Sequence, residues 1–174
     1  MKLEEIYKLH SDLVYNLALH YSQNVEDAQE ITQDVFVAAY QNLDSFRNDS
    51  AISTWLYRIT INKSLDYLKS KKRKKRFAFI SSLFFDDSND LKHNPAELNH
   101  PGIQMEDKEA LEELLKQINE LPDSQKTALI LNKIEQKSLA EIAEIMNISS
   151  KAAESLIQRA KTNLSKKVNI ERRI

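Results

Sequence analysis

The chain has 174 residues, with one glycine, three prolines, no cysteine, and 25 lysines and arginines against 26 aspartates and glutamates. Tight turns between strands draw on glycine and proline, so their scarcity predicts an all-α fold. The missing cysteine excludes disulfides and cysteine-ligated zinc and suits a reducing compartment. No apolar run approaches the roughly 20 residues needed to cross a bilayer. The chain starts Met-Lys-Leu-Glu-Glu-Ile, with acids where a signal peptide carries a basic start and an apolar core, so a cytoplasmic location is expected.

In chain order, Leu3, Ile6, Leu13, Val14, Leu17 and Tyr21 stripe a first helix. Asn24 is placed to cap a second, in which Ala28, Ile31, Val35 and Ala39 form the inner face. Glu26, Asp27, Glu30 and Asp34 are expected outside it. A polar loop, Asp44 to Ser50, leads to a third helix carrying Ile52, Trp55, Leu56, Ile59, Leu65 and Leu68. That helix runs into Lys69, Lys71, Lys72, Arg73, Lys74, Lys75 and Arg76, seven basic residues in eight positions. So dense a run repels itself without a partner, which points to contact with a phosphate backbone; a solvated helix end is the bland reading.

Pro95, Pro101 and the sole glycine, Gly102, then fall within eight residues, in a stretch from about 77 to 105 with no sustained helical period. This predicts a linker between two small helical domains, residues 1–76 and 106–174, each folding independently. Phe77, Phe79, Ile80, Leu83, Phe84 and Phe85 make it more apolar than a freely solvated linker. A short helix packed back on the first domain and a segment docking on a partner both fit. Residues 77–108 hold six acids and two bases, so an acidic connector separates the run at 69–76 from a second basic region after Lys151.

The second domain reads as helices near 106–121, 123–135, 139–147 and 150–167, broken at Leu121-Pro122-Asp123. Ser138 and Glu141 have capping-box spacing, and Ile142, Ala143, Ile145 and Met146 form an apolar face that ends at Asn147. Ser149 or Ser150 can cap the next helix, whose Ala153, Ile157, Ala160 and Leu164 recur at helical spacing. Two short helices across a tight break have the shape of a helix-turn-helix, whose second helix reads a DNA major groove; a plain αα-hairpin is the alternative.

Two blocks carry a family likeness. Asp27-Ala-Gln-Glu-Ile-Thr-Gln-Asp-Val-Phe36, followed by Leu43 to Asn62, resembles region 2 of the bacterial extracytoplasmic-function sigma factors. Leu121-Pro-Asp-Ser-Gln-Lys and the helix-turn-helix ending Gln158-Arg-Ala-Lys161 resemble region 4. The resemblance covers nearly the whole chain except the linker. It implies a subunit that binds RNA polymerase core, directs it to a promoter and opens the DNA. Glu30, Gln33 and Asp34 match the segment that binds the clamp coiled coil of the largest core subunit. Phe46, Arg47, Asn48, Asp49, Ser50 and Ser53, with Asn62 and Lys63, match the part that captures a flipped base of the −10 element. A melted base needs amide or carbonyl partners for its exposed edge and a stacking surface. Phe46 also suits packing beneath the loop, and Trp55 reads as core. Asn62, on an otherwise apolar helix, is expected to need a ligand or backbone partner for its amide.

In the recognition helix the family's usual small-Thr-Val-Lys-Ser-Arg run is replaced by Lys151-Ala-Ala-Glu-Ser-Leu156, so Glu154 and Leu156 stand at habitually basic positions. Ser150, Lys151, Glu154, Ser155, Gln158 and Arg159 are the candidate −35 contacts, with weakened binding expected. Promoter DNA, duplex at −35 and single-stranded at −10, and RNA polymerase core are the implied partners, with an anti-sigma factor as a further one. No cofactor or metal is expected: the four histidines lack ligand spacing, and neither a phosphate-binding glycine loop nor a cysteine nucleophile is present, which argues against an enzyme. A two-domain regulator acting without core polymerase would keep the helix-turn-helix but leave the acidic helix and the −10-like loop unexplained. A helical scaffold would make the basic run a coincidence.

Overall fold

A computed structural model describes residues 3–46, 50–84 and 113–171, and every element among them is helical. Helix α1 spans Leu3–Ser22, α2 Val25–Asn42 and α3 Ile52–Phe84, with a 3-10 turn at Leu43–Ser45 between the last two. Helix α4 occupies 113–119, and α5 Asp123–Lys133, α6 Leu139–Met146 and α7 Ser150–Glu171 follow. None of the described helices is long and apolar enough to cross a membrane.

Local chemistry sets most boundaries. The Asn24 side chain accepts from Asp27 N–H at 2.9 Å and starts α2. At α6 the capping box is complete: the Ser138 hydroxyl accepts from Glu141 N–H, and the Glu141 carboxylate accepts from Ser138 N–H. Those bonds from Ser138 hold the Glu141 carboxyl below its ordinary range. Asn147, at φ 53°, closes α6 in the left-handed conformation that asparagine tolerates, and Ser149 Oγ accepts from Ala152 N–H to open α7.

Helices α1, α2 and α3 enclose one buried cluster that includes Ile6, Val14, Ala18, Ile31, Val35 and Leu56. The acid expected outside on α2 is inside: Asp27 is only 8% exposed. Its carboxylate accepts from Tyr67 Oη at 2.8 Å and pairs with Lys71 Nζ, so α3 supplies the partners that make its burial tolerable. Helix α3 also continues to Phe84, into the stretch where a linker was expected from residue 77. No proline or glycine interrupts the chain between 52 and 84, so nothing stops the helix. Most of the expected linker, from residue 85, lies outside the described residues.

The second buried cluster crosses between the halves of the chain. It joins Leu17 and Tyr21 of α1 and Tyr57 and Ile61 of α3 to Leu115, Ile118, Leu129, Ile130, Ile142 and Ile157 of the C-terminal half. Independently folding domains were expected, yet the two bundles share this core. The cause is a second apolar face on α3, through Tyr57 and Ile61, beside the one read from Leu56 and Ile59.

Candidate nucleic-acid interface

Helix α3 presents one long stripe. At 3.6 residues per turn, Trp55, Arg58, Asn62, Asp66, Lys69, Arg73 and Arg76 fall within a sector of roughly 80°. Asn62, Lys69, Arg73 and Arg76 are exposed, as is Lys72 at the edge of the stripe; Lys74 and Lys75 are exposed on other faces of the helix. Asp66, Lys69, Lys72, Arg73 and Arg76 line a shallow basic groove. Lys71 points to the other side, where Asp27 meets its charge.

At the N-terminal end of the stripe the Phe46 and Trp55 rings are 5.0 Å apart with planes at 37°. Trp55 is half-buried against the first cluster, and Phe46 rests half-buried on it, which leaves an aromatic surface beside the stripe. Ser50, Ser53 and Lys63 are half-buried. Arg47, Asn48 and Asp49 lie outside the described residues. Asn62 needs no internal partner, contrary to the expectation from its apolar neighbours: it is exposed and lines an open cleft of about 550 Å³ where water reaches its amide. The other wall of that cleft carries Asp123, Ser124, Thr127, Met146 and Asn147 of the C-terminal half.

Contacts across this boundary are polar as well as apolar. Arg58 donates to the α6 carbonyls of Glu144, at 2.7 Å, and Ile145, at 3.2 Å. These belong to the last turn of a helix, where carbonyls lack intrahelical partners and carry the negative end of the dipole. Lys69 Nζ lies 3.2 Å from Asp123 Oδ2. Tyr57 Oη donates to Glu135 at 2.8 Å, and His20 Nδ1 is 3.0 Å from the same carboxylate. Burial works to raise the Glu135 pKa, but the bonds from His20 and Tyr57 outweigh it, so the carboxyl is held below its ordinary range. Tyr21 Oη donates to Thr127 Oγ1 at 2.8 Å, and burial pushes that phenol's pKa well up. No sequence motif marked His20 or Glu135, and the block from Leu43 to Asn62 gave Tyr57 and Arg58 no partner; the pairing of His20 with Glu135 spans 115 positions in the chain.

On α2, Glu30, Gln33 and Asp34 are exposed as expected, outside the buried Ala28, Ile31 and Val35. Tyr67 Oη reaches Glu30 at 3.0 Å as well as Asp27, so one phenol ties α3 to both acids. Burial, then the two carboxylates, raise that phenol's pKa and keep it a donor. Beside this polar face is an apolar groove that sequence reading missed, lined by Leu3, Tyr7, Gln33, Phe36, Val37 and Tyr40. Its signal was Phe36 and Tyr40 at i and i+4, with Val37 between them.

On α7, Lys151, Glu154, Gln158 and Arg159 are exposed, and Ser155 half-buried. Leu156 is turned toward the second cluster and is not part of the free face, so only Glu154 of the two departures faces solvent. Ser150, the first residue of α7, is exposed at its N-terminus. Among the described residues no group of three or more histidines and acids could hold a metal ion.

Comparison with known proteins identifies both halves of the chain. Residues 6–74 match the family model for Sigma-70 region 2, and residues 111–164 match that for Sigma-70, region 4. The ECF RNA polymerase sigma factor SigW of Bacillus subtilis is 32% identical over 168 residues, covering 94% of this chain and 87% of the relative. The ECF RNA polymerase sigma-E factor of Escherichia coli is 32% identical over 145 residues, covering 82% and 74%. In fold, the chain is similar to CnrH in complex with the cytosolic domain of CnrY (TM-score 0.64, 23% identity, covering 97% of this chain and 88% of that one). It is also similar to the sigma factor RpoE bound to the anti-sigma factor NepR from Bartonella quintana (TM-score 0.61, 22% identity, 96% of each chain). With a region 2 bundle, a region 4 helix-turn-helix and this degree of identity to two such proteins, the chain belongs to the ECF family of RNA polymerase sigma factors.

Proposed function

We propose that this sigma factor divides its work among three surfaces. Glu30, Gln33 and Asp34 on α2 hold RNA polymerase core, where exposed carboxylates and an amide on a rigid helix suit an arginine-rich coiled coil. The α3 stripe takes the melted −10 strand: Phe46 offers a stacking face, Asn62 an amide for a base edge, and Lys69, Lys72, Arg73 and Arg76 meet phosphates. The α7 face, from Ser150 and Lys151 through Ser155 to Gln158 and Arg159, lies in the −35 major groove. The observation that carries this reading is the stripe itself. One helix aligns aromatic, amide and basic groups in the order that a single strand with stacked bases and a charged backbone requires.

The bundle of α1 to α3 and the C-terminal helices are the units that engage −10 and −35, tethered by the chain after Phe84, and the work is binding without catalysis, in the cytoplasm where polymerase acts. An anti-sigma factor is a fitting additional partner, since one solved neighbour is the sigma factor RpoE bound to the anti-sigma factor NepR. The test is a pull-down on core polymerase. Asp34→Arg, or Gln33→Lys with Glu30→Lys, abolishes core binding while helicity is unchanged; unaltered retention on core would remove α2 from the interface.

A further inference from the structure

Helix α5 starts without a side-chain cap. Pro122 occupies its N-cap position and offers no side-chain bond, so the N–H groups of Asp123, Ser124 and Gln125 have no intrahelical partner. The first helical bond runs from Lys126 N–H to the Pro122 carbonyl at 2.9 Å. The Gln125 side chain is engaged away from this turn, where its Oε1 accepts from Asn163 at 2.8 Å. Lys126 is only 3% exposed, and among the described residues no hydrogen bond or ion pair meets its ammonium. A long side chain on a helix leans back toward the N-terminus, which carries this ammonium over the uncapped turn. Burial holds its pKa below the ordinary value; Asp123 works against that, and Lys72 and Lys69 of α3 add to it. Three lysines therefore converge on the positive end of a helix. Of the two acids nearby, Asp123 is paired with Lys69 at 3.2 Å, and Asp66 lies along the groove with Arg73 and Arg76. A desolvated ammonium among like charges is stabilised by an anion, and a helix N-terminus suits a phosphate.

The same turn borders the open cleft of about 550 Å³, to which Asp123, Ser124 and Thr127 contribute. That volume lies within the roughly 300–1,000 Å³ of small-ligand sites. Ile61, Leu65, Ile145 and Met146 give the cleft apolar walls, and the exposed Asn62 and Asn147 add amides. A planar base needs those two things, apolar surface for its faces and amide partners for its edge. From Asn62 to Lys69, α3 rises about 10 Å, the length of a nucleotide from its base edge to its 5′-phosphate. We propose that the cleft and the α5 N-terminus form one binding site for a free nucleoside 5′-polyphosphate, with the base between α3 and α6 and the phosphates held by Lys126, Lys69, Lys72 and the first-turn N–H groups of α5. The site stands on α5 and does not depend on the reading of α3 as the strand surface. Asn62 and Lys69 serve both, so nucleotide and melted strand exclude one another.

The test is isothermal titration of the full-length chain with ADP, GDP, CDP and UDP, and with pyrophosphate and the four nucleosides as separate arms. At least one diphosphate is expected to bind about tenfold or more tightly than pyrophosphate and than its own nucleoside. Lys126→Met keeps the length of the buried stem and removes the charge, and it should weaken that diphosphate by about tenfold or more. Ser124→Glu is the second variant, at an exposed position in the first turn of α5. A glutamate there favours the helix but repels a phosphate, so binding should fall while the urea midpoint holds.

No binding by any of the four diphosphates overturns the site. Pyrophosphate binding as tightly as every diphosphate leaves a bare anion site and overturns the nucleotide assignment. Diphosphate binding that survives Ser124→Glu lies elsewhere on the chain, which overturns it too, and this holds even if Lys126→Met fails to fold. A random-sequence DNA single strand, titrated against the same variants, separates the two sources of such a phosphate. Loss of the diphosphate with the strand retained upholds a free-nucleotide site; equal loss of both gives the phosphate to the strand and overturns it.

Discussion

Tyr67 shows how much of this site depends on single side chains. Its hydroxyl reaches Asp27 at 2.8 Å and Glu30 at 3.0 Å, and Asp27 is also paired with Lys71. A buried carboxylate left short of a donor incurs its full desolvation penalty. Tyr67→Phe is therefore expected to destabilise the N-terminal bundle by about 1–3 kcal/mol, measured by urea unfolding. Lys71→Ala should do likewise, although it removes a basic residue from the run, and it should leave single-strand binding almost unchanged once folding is restored at low temperature. Lys72→Ala should weaken strand binding without affecting stability. Equal effects of the two lysines on DNA would show that the Asp27 pair does not set Lys71 apart. Sequence alone could not separate these two neighbours, because both belong to one run and the difference depends on which side of α3 faces α2.

At the scale of elements, the recognition helix yields a prediction that the sequence suggested and the packing sharpens. Glu154 is exposed on the free face of α7, whereas Leu156 packs toward the buried cluster. Glu154→Lys should strengthen binding to −35 duplex and steepen the log K against log salt slope by about one phosphate contact, as measured by fluorescence anisotropy. Leu156→Lys should instead destabilise the C-terminal half. A gain from both would mean that α7 is rotated relative to this packing. The start of α2, both ends of α6 and the start of α7 were legible in the sequence, since Asn24, Ser138, Glu141, Asn147 and Ser149 act on their own immediate backbone. What stayed hidden depends on distant partners. Asp27 reads as an outer acid until Tyr67 and Lys71 are brought to it, and Tyr57 and Ile61 look surplus to the face of α3 until α5 and α6 cover them. Helix α3 outran its expected end because apolar periodicity fades after Leu68 while nothing in the sequence breaks the helix.

For the whole molecule, the boundary between the halves carries a pH dependence of known sign. The Glu135 carboxyl is held below its ordinary value of 4.5 although burial opposes this, because His20 and Tyr57 bond to its charged form and Lys137 lies near. A depressed carboxyl pKa contributes stability that is present above the ordinary value and is lost as pH falls through the depressed one. Energy transfer between dyes at positions 41 and 161 should therefore hold steady from pH 7 to about 5 and then decline in the acid range. Glu135→Gln should flatten the part of that decline that precedes global unfolding. The central claim is more direct: this chain, bound to core polymerase, opens promoter DNA by capturing a strand on α3. The measurement is permanganate reactivity of −10 thymines in complexes of core with wild-type chain and with Asn62→Ala, beside footprints of the duplex upstream. Wild-type chain should render the −10 thymines reactive, and Asn62→Ala should reduce that reactivity several-fold while the −35 footprint persists. Undiminished −10 reactivity with Asn62→Ala, or equal loss of both footprints, would contradict it.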